Sequence, residues 1–258
     1  MRKVLAVIVI VTGLSYLFLN FDVLPTIGDP NAPAHHHVSD YYIDHALRDT
    51  ESPNLVTAVL ADYRGFDTLL ETTVMFLAGM SAVLLLSYKT PLNKRKVVPN
   101  KILRGKHILG EPAYQTINKE VMVTLIEVLI LIYAMYVLFH GEVSLGGGFQ
   151  AGALIALAYI IDVMVAPNAR MLFRFDKRNS VSIAGIGVSI YAFTGVITML
   201  SGGVFLEYGK LPHGMLKYEL HPAGILMIET GVTLCVMATI VAILNAIMER
   251  AKFDDDRD

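Results

Sequence analysis

Six stretches of this chain are apolar for long enough to cross a bilayer, and that pattern fixes its fold class before anything else is read. A spanning helix needs about 20 mostly apolar residues. Residues 4–20, 68–88, 121–139, 149–166, 181–200 and 223–245 answer that description, the fourth being the shortest. The expectation is an all-α integral membrane protein with six transmembrane helices. The first run opens "MRKVLAVIVIVTGLSYLFLN" and has the charge pattern of a secretory signal. No small-x-small cleavage site stands before "FDVLPTIGD", so it is read as an uncleaved anchor helix.

Charge checks the topology independently. With the N-terminus inside, the inner segments are the N-terminus, 89–120, 167–180 and the C-terminal tail, and they hold 17 of the 21 Lys and Arg. The outer loops hold only Arg48, Arg64, Lys210 and Lys217. Every loop obeys the positive-inside rule, which predicts both termini in the cytoplasm. Charged residues make up 17% of the chain and the mean hydropathy is +0.54, against about 25% charged in soluble domains. With a net charge of −2, there is no basic footprint for nucleic acid. A single cysteine, Cys235, excludes an internal disulfide and any thiolate-ligated cluster. No redox cofactor, metal site or catalytic chemistry is expected on this chain. All ten prolines lie outside the six runs, and no run contains Lys. The interruptions that mark complete transporters are therefore missing.

Residues 89–120 are basic, proline-punctuated and without apolar periodicity. They read as a cytoplasmic linker between a two-span front (1–88) and a four-span back (121–258). In the first outer segment, 21–66, three adjacent histidines (His35, His36, His37) read as solvated loop rather than as metal ligands. Further on, Ser52 with Pro53 reads as a helix N-cap followed by proline at the first helical position. Leu55, Val56, Val59 and Leu60 then give one apolar face, so a short helix should lie on the outer membrane surface. Gly65 allows a turn, and Asp67 or Thr68 should cap the next helix, with Glu71 in its first turn.

The stretch "HGEVSLGGGFQAG" (140–152) raises the question of a phosphate loop. A P-loop follows a strand and needs Lys and Ser or Thr after its last glycine. Here the preceding segment is a membrane helix, and Phe149 and Gln150 follow. The glycines suit a tight return between two spans instead. Gly148 and Gly152 also have the small-x-x-x-small spacing that lets helices approach.

These residues carry a family resemblance. "SPNLVTAVLADYRGFDTLLE" (52–71), with Arg64, Gly65 and Asp67, resembles a segment near the end of the large A subunit of multi-subunit Na+/H+ antiporters of the Mrp or Mnh type. A short subunit of archaeal membrane-bound hydrogenase complexes carries a similar segment. Leu70 stands where that pattern has Gly. His140 with Gly146, Gly147, Gly148 and Phe149 resembles the signature of the B subunit of the same antiporters. Leu145 replaces its usual Pro, and Glu142 stands where related sequences have His or another polar residue. "LHPAGILMIETGVTL" (220–234) is also B-like. The resemblance covers roughly 40–90 and 115–248. It implies an A-tail-like unit fused to a B-like unit, with Na+ and H+ as transported ions and other antiporter-module subunits as partners. The fused layout further implies hydrogenase-like redox subunits in a cell-membrane complex.

Ionisable residues inside spans are costly and are functional hypotheses by default. Glu127 lies about 9–10 Å into its span at 1.5 Å per residue, and Glu229 lies at similar depth. Both are candidate ion-translocation groups or interhelical hydrogen-bond partners. Asp162 either joins them or reaches cytoplasmic water. Glu71 either joins them or complements a helix N-terminus. His140 is a proton gate or a residue fixing the tight loop. The reading is a membrane subunit of a cation/proton antiporter module; the alternatives are a stand-alone secondary transporter and a structural scaffold.

Overall fold

The computed structural model describes residues 2–19, 26–32, 35–87, 113–165, 177–212 and 220–255. Among the described residues the protein is all-helical and contains no strand. Helix α1 is Arg2–Leu19, α2 Val38–Thr50, α3 Leu55–Thr57 and α4 Gly65–Ser87. They are followed by α5 Ala113–Phe139, α6 Gly148–Val165, α7 Lys177–Leu200 and α8 Leu220–Asp255. Four segments are long and apolar enough to cross a membrane: Gly65–Ser87, Val121–Phe139, Arg178–Leu200 and Leu220–Ala251. Val7–Tyr16 and Gly148–Met164 are apolar but shorter.

The chain divides into two compact units, 1–45 and 46–258. In the first, α1 presents exposed Val, Ile and Leu side chains all round. His35, His36 and His37 are exposed. Helix α2 was not expected within the first outer segment. Its sequence, "VSDYYIDHALRDT", buries only Ala46 and Thr50. It therefore lacks the broad apolar stripe by which a helix is read. Asp40 in its first turn and Arg48 in its last complement the helix dipole.

The second unit corrects several boundaries. Asn54, not Ser52, caps the short helix α3: its side chain accepts from the Val56 N–H. Ser52 instead donates its hydroxyl to the Glu142 carbonyl at 2.9 Å. After Thr57 the helix widens to a π-helical turn, Ala58–Tyr63. The break before α4 falls on Arg64, and α4 begins at Gly65 itself. Neither Asp67 nor Thr68 is its cap; Thr68 donates back to the Leu60 carbonyl at 2.7 Å. Residues 113–120, assigned to the linker, are the first turns of α5; the rest of the linker, 89–112, lies outside the described residues. Pro222 stands third in α8, inside a span rather than before it. The first turn tolerates proline because its N–H groups have no helical partner.

Helix α8 is the hub, packing on α4, α6 and α7 and more lightly on α5. In lipid, helix pairing comes from close packing rather than from hydrophobic exclusion, so small residues gather at the contacts. Gly79 of α4 faces Thr239, Gly152 of α6 faces Val236, and Gly187 of α7 faces the Gly231 carbonyl. Around these contacts Tyr191, Ile225, Ile228, Val232, Cys235 and Val241 are fully enclosed.

Candidate functional site

The glycine stretch and Glu229 belong to one structure. After α5 the chain turns on His140, whose carbonyl accepts from the N–H groups of Val143 and Ser144. It enters α6 at Gly148, and there the first N–H of the helix donates to Oε2 of Glu229, ten residues into α8. Helix N-termini leave N–H groups unpaired and carry partial positive charge. A carboxylate held there gains both a hydrogen bond and a dipole. Gly147 has φ +140, and a Cβ on it would lie 3.2 Å from both Glu229 oxygens. A Cβ on Gly148 would strike the Glu229 carbonyl and lie 2.9 Å from Cβ of Val232. Thr233 closes the contact, its hydroxyl reaching the Glu229 carbonyl at 2.8 Å and the Gly148 carbonyl at 3.3 Å.

The loop that delivers Gly148 is itself held by the start of α3. Asn54 donates from Nδ2 to the carbonyls of Gly141 (2.8 Å) and Ser144 (2.7 Å), and its backbone N–H donates to the Glu142 carbonyl. The Thr57 hydroxyl donates to the Gly141 carbonyl at 2.6 Å. Nothing in the sequence marked Asn54 as reaching 90 residues along the chain; its only signal was its helix-capping type.

Glu127 of α5 and Asp162 of α6 are both buried, at 7% and 2% exposure. They stand close enough for the Asp162 charge to act on Glu127. Among the described residues neither carboxylate receives a hydrogen bond. Glu71, on α4, points outward among exposed Phe66, Leu70 and Val74. It does not join either cluster directly, but its charge acts on the buried Tyr191 phenol, as does that of Glu229. His140 is exposed, its ring stacked on Tyr136 with centroids 4.2 Å apart and its Nδ1 3.1 Å from the Tyr136 carbonyl.

The "YRGFD" residues serve the front of the site. Arg64 and Asp67 pair with each other, and Tyr63 donates to Asp49 at 3.0 Å. A Cβ on Gly65 would lie 3.6 Å from the hydroxyls of both Tyr191 and Tyr208. Tyr191 donates to the Gly65 carbonyl at 2.6 Å, and Tyr208 to the Ala61 carbonyl at 2.7 Å. Burial pushes the Tyr208 phenol well above its ordinary value, helped by the nearby Tyr191, Asp62 and Glu229. It therefore stays a donor. An acid–imidazole pair, Asp62 and His221 at 2.7 Å, sits beside it. Neither residue stands out in the sequence. The pair's signal was a His just before the proline in the first turn of α8.

Residues 119–242 match a family described as a domain related to the MnhB subunit of the Na+/H+ antiporter. Residues 1–101 match the MbhE family of MBH proteins. A chain named antiporter subunit mnhB2 in Staphylococcus haemolyticus is 31% identical over 127 residues, 48% of this chain and 89% of that one. A chain in the structure of the Mrp complex from Dietzia superposes with a TM-score of 0.66 at 26% identity, covering 95% of this chain and 26% of that one. A chain in the structure of the membrane-bound sulfane sulfur reductase, an archaeal respiratory membrane complex, gives 0.62 at 25% identity, covering 96% and 98%. The chain spans 63% of the length of a relative from Methanocaldococcus jannaschii and 22% of one from Rhizobium meliloti.

Proposed function

Because this chain belongs to the MnhB-related family of antiporter subunits, we propose that it works as a multi-pass membrane subunit of a cation/proton antiporter module. In this reading six helices cross the cell membrane with both ends in the cytoplasm, and the outer helix near Asn54 lies on the membrane surface. Residues 1–88 form the front unit, 89–120 the cytoplasmic linker and 121–258 the back unit. Glu229, Glu127, Asp162, Glu71 and His140 line parts of an ion path completed by sister subunits, with Na+ and H+ as the ions. The match to an archaeal respiratory complex over nearly its whole partner chain supports redox subunits in the same assembly as the energy source.

The observation that carries the reading is the Glu229 carboxylate presented at the glycine-lined start of α6. A scaffold role predicts the same interhelical hydrogen bond; what favours ion handling is that the bond to Gly148 occupies only one carboxylate oxygen, and among the described residues none donates to the other. The test is Glu229→Gln in the assembled complex, reconstituted in vesicles. Gln still accepts from Gly148 through its amide oxygen, so retention of the chain should match the parent while cation-coupled proton movement is lost. Normal transport by the assembled variant would leave the chain as a scaffold.

A further inference from the structure

Gly141 joins two parts of the site. Its carbonyl oxygen accepts from Nδ2 of Asn54 at 2.8 Å and from the Thr57 hydroxyl at 2.6 Å, which engages both of its lone pairs. Its Cα lies against the far end of the same loop. A Cβ on Gly141 would come within 3.1 Å of the Gly147 Cα and 3.2 Å of the Gly147 nitrogen. Gly147 in turn lies against the Glu229 carboxylate, where a Cβ would stand 3.2 Å from each oxygen. The next residue, Gly148, donates its N–H to that carboxylate. Gly141, Gly147 and Gly148 are all buried. Backbone meets backbone at the Gly141–Gly147 contact, so no flexible side chain is there to absorb a displacement. A return rich in glycine has little stiffness of its own, and the start of α3 supplies it. Ser52 and the Asn54 N–H hold the Glu142 carbonyl, and Asn54 Nδ2 also holds that of Ser144. Ser52, Asn54 and Thr57 fall in the region that matches the MbhE family, whereas the loop and Glu229 fall in the region that matches the MnhB-related family. The contact therefore joins two family regions of one chain.

We infer that Asn54 and Thr57 are positioning residues for Glu229: through Gly141 and Gly147 they set where the first N–H of α6 meets the carboxylate. The front region of the chain thereby completes the ion site of the back region. The inference rests on the ion-handling role proposed for Glu229 and adds what holds that acid in register. Neither Asn54 nor Thr57 touches the carboxylate; each acts on it through the glycine backbone. Groups that hold an ion's ligand in place contribute to affinity even where they never meet the ion, and loosening them weakens binding while the ligand itself remains.

Thr57→Val keeps the shape of the side chain and deletes its hydroxyl, whereas Thr57→Ser keeps the hydroxyl. Asn54→Ala and Gly141→Ala probe the same path at its start and its middle. Each full-length variant is assembled in its complex and reconstituted in vesicles. Cation-driven proton movement is then titrated with sodium chloride, or with potassium chloride where only that salt drives the parent. Asn54→Ala, Thr57→Val and Gly141→Ala should each raise the salt concentration for half-maximal rate by about tenfold. The maximal rate per assembled complex should stay that of the parent, the pattern of lost binding rather than lost turnover. Thr57→Ser should titrate like the parent. Gly152→Ala presses on the Thr233 carbonyl and Val236, away from the loop and the carboxylate. It should lower the melting temperature and leave the half-maximal concentration alone. If Asn54→Ala and Thr57→Val titrate like the parent, whatever their melting temperatures, the clamp is a structural brace and the inference is overturned. An equal rise in Gly152→Ala overturns it too. Glu229→Gln in the same assay separates the two failures. Normal transport by that variant ends the ion-handling role itself. An inactive Glu229→Gln beside clamp variants that titrate like the parent ends only the positioning.

Discussion

Gly148 donates its backbone N–H to the Glu229 carboxylate, so the first turn of α6 holds an acid that belongs to α8. Two sequence features 81 residues apart, a glycine run and an intramembrane acid, are one device. The glycines make the return tight, and their missing side chains are what let the carboxylate lie against the backbone.

Substitution should therefore separate the site from mere helix packing. At Gly147 an alanine is strained by φ +140, which costs about 1–3 kcal/mol, and its methyl presses on both Glu229 oxygens. Gly148→Ala overpacks the contact, again by about 1–3 kcal/mol. Gly152→Ala meets the Thr233 carbonyl and Val236, one turn further on, with no contact to the carboxylate. All three should lower the apparent melting temperature of the detergent-solubilised complex. Only the first two should reduce transport per assembled complex. Equal transport loss in all three would mean that the glycines serve packing alone.

The Asp162 charge acts on buried Glu127, and two like charges near each other in a buried place are costly to ionise together. Glu127→Gln and Asp162→Asn should each leave thermal stability unchanged or higher, because either one relieves the other. The double variant should gain less than the sum of the singles, with a coupling of about 0.5–3 kcal/mol. Two additive losses in a thermal-shift cycle would show that the acids do not act as a pair.

Much of this architecture is legible in the sequence. Apolar runs mark the four long spanning helices, since in lipid a span has few ways to satisfy its backbone. Glu229 and the glycines are each visible as an anomaly: an acid too deep, and glycines where no phosphate loop fits. Their meeting is not legible, because nothing local encodes which helix α6 packs against. Helix α2 escapes notice because its apolar stripe is too narrow. Asn54 and the Asp62–His221 pair act across the fold through single polar side chains, which carry no periodicity. The π-helical turn at Ala58–Tyr63 looks like ordinary helix in sequence, since one extra residue per turn leaves no compositional trace.

Asn54 gives a sharp test of the clamp on loop 140–148. Alanine removes the cap on Val56 and both side-chain donors to loop 140–148. Unsatisfied carbonyls there should cost about 1–3 kcal/mol. Asn54→Asp keeps the shape and the cap but sets a carboxylate against two carbonyl oxygens, so it should be as harmful as alanine. Hydrogen–deuterium exchange over residues 140–150 should rise in both variants. If aspartate exchanges like the parent, the two Nδ2 hydrogen bonds are not what holds the loop.

Tyr208 predicts a pH dependence with a definite sign. Its phenol is buried and donates to the Ala61 carbonyl, and burial raises it well above the ordinary value of 10.0. The unfolded chain therefore loses this proton before the folded protein does. The stability it contributes is complete below about pH 10, the unfolded value, and is lost as pH rises through the folded one. Tyr208→Phe lacks the hydrogen bond, worth about 0.5–1.5 kcal/mol net, but has no proton to lose. Melting temperatures of the complex from about pH 8 to about pH 11, which bracket the free phenol's value, should begin lower for the Phe variant. They should then converge with the parent and cross it as the parent destabilises. Curves that stay parallel over the whole range would place the alkaline sensitivity on some other group.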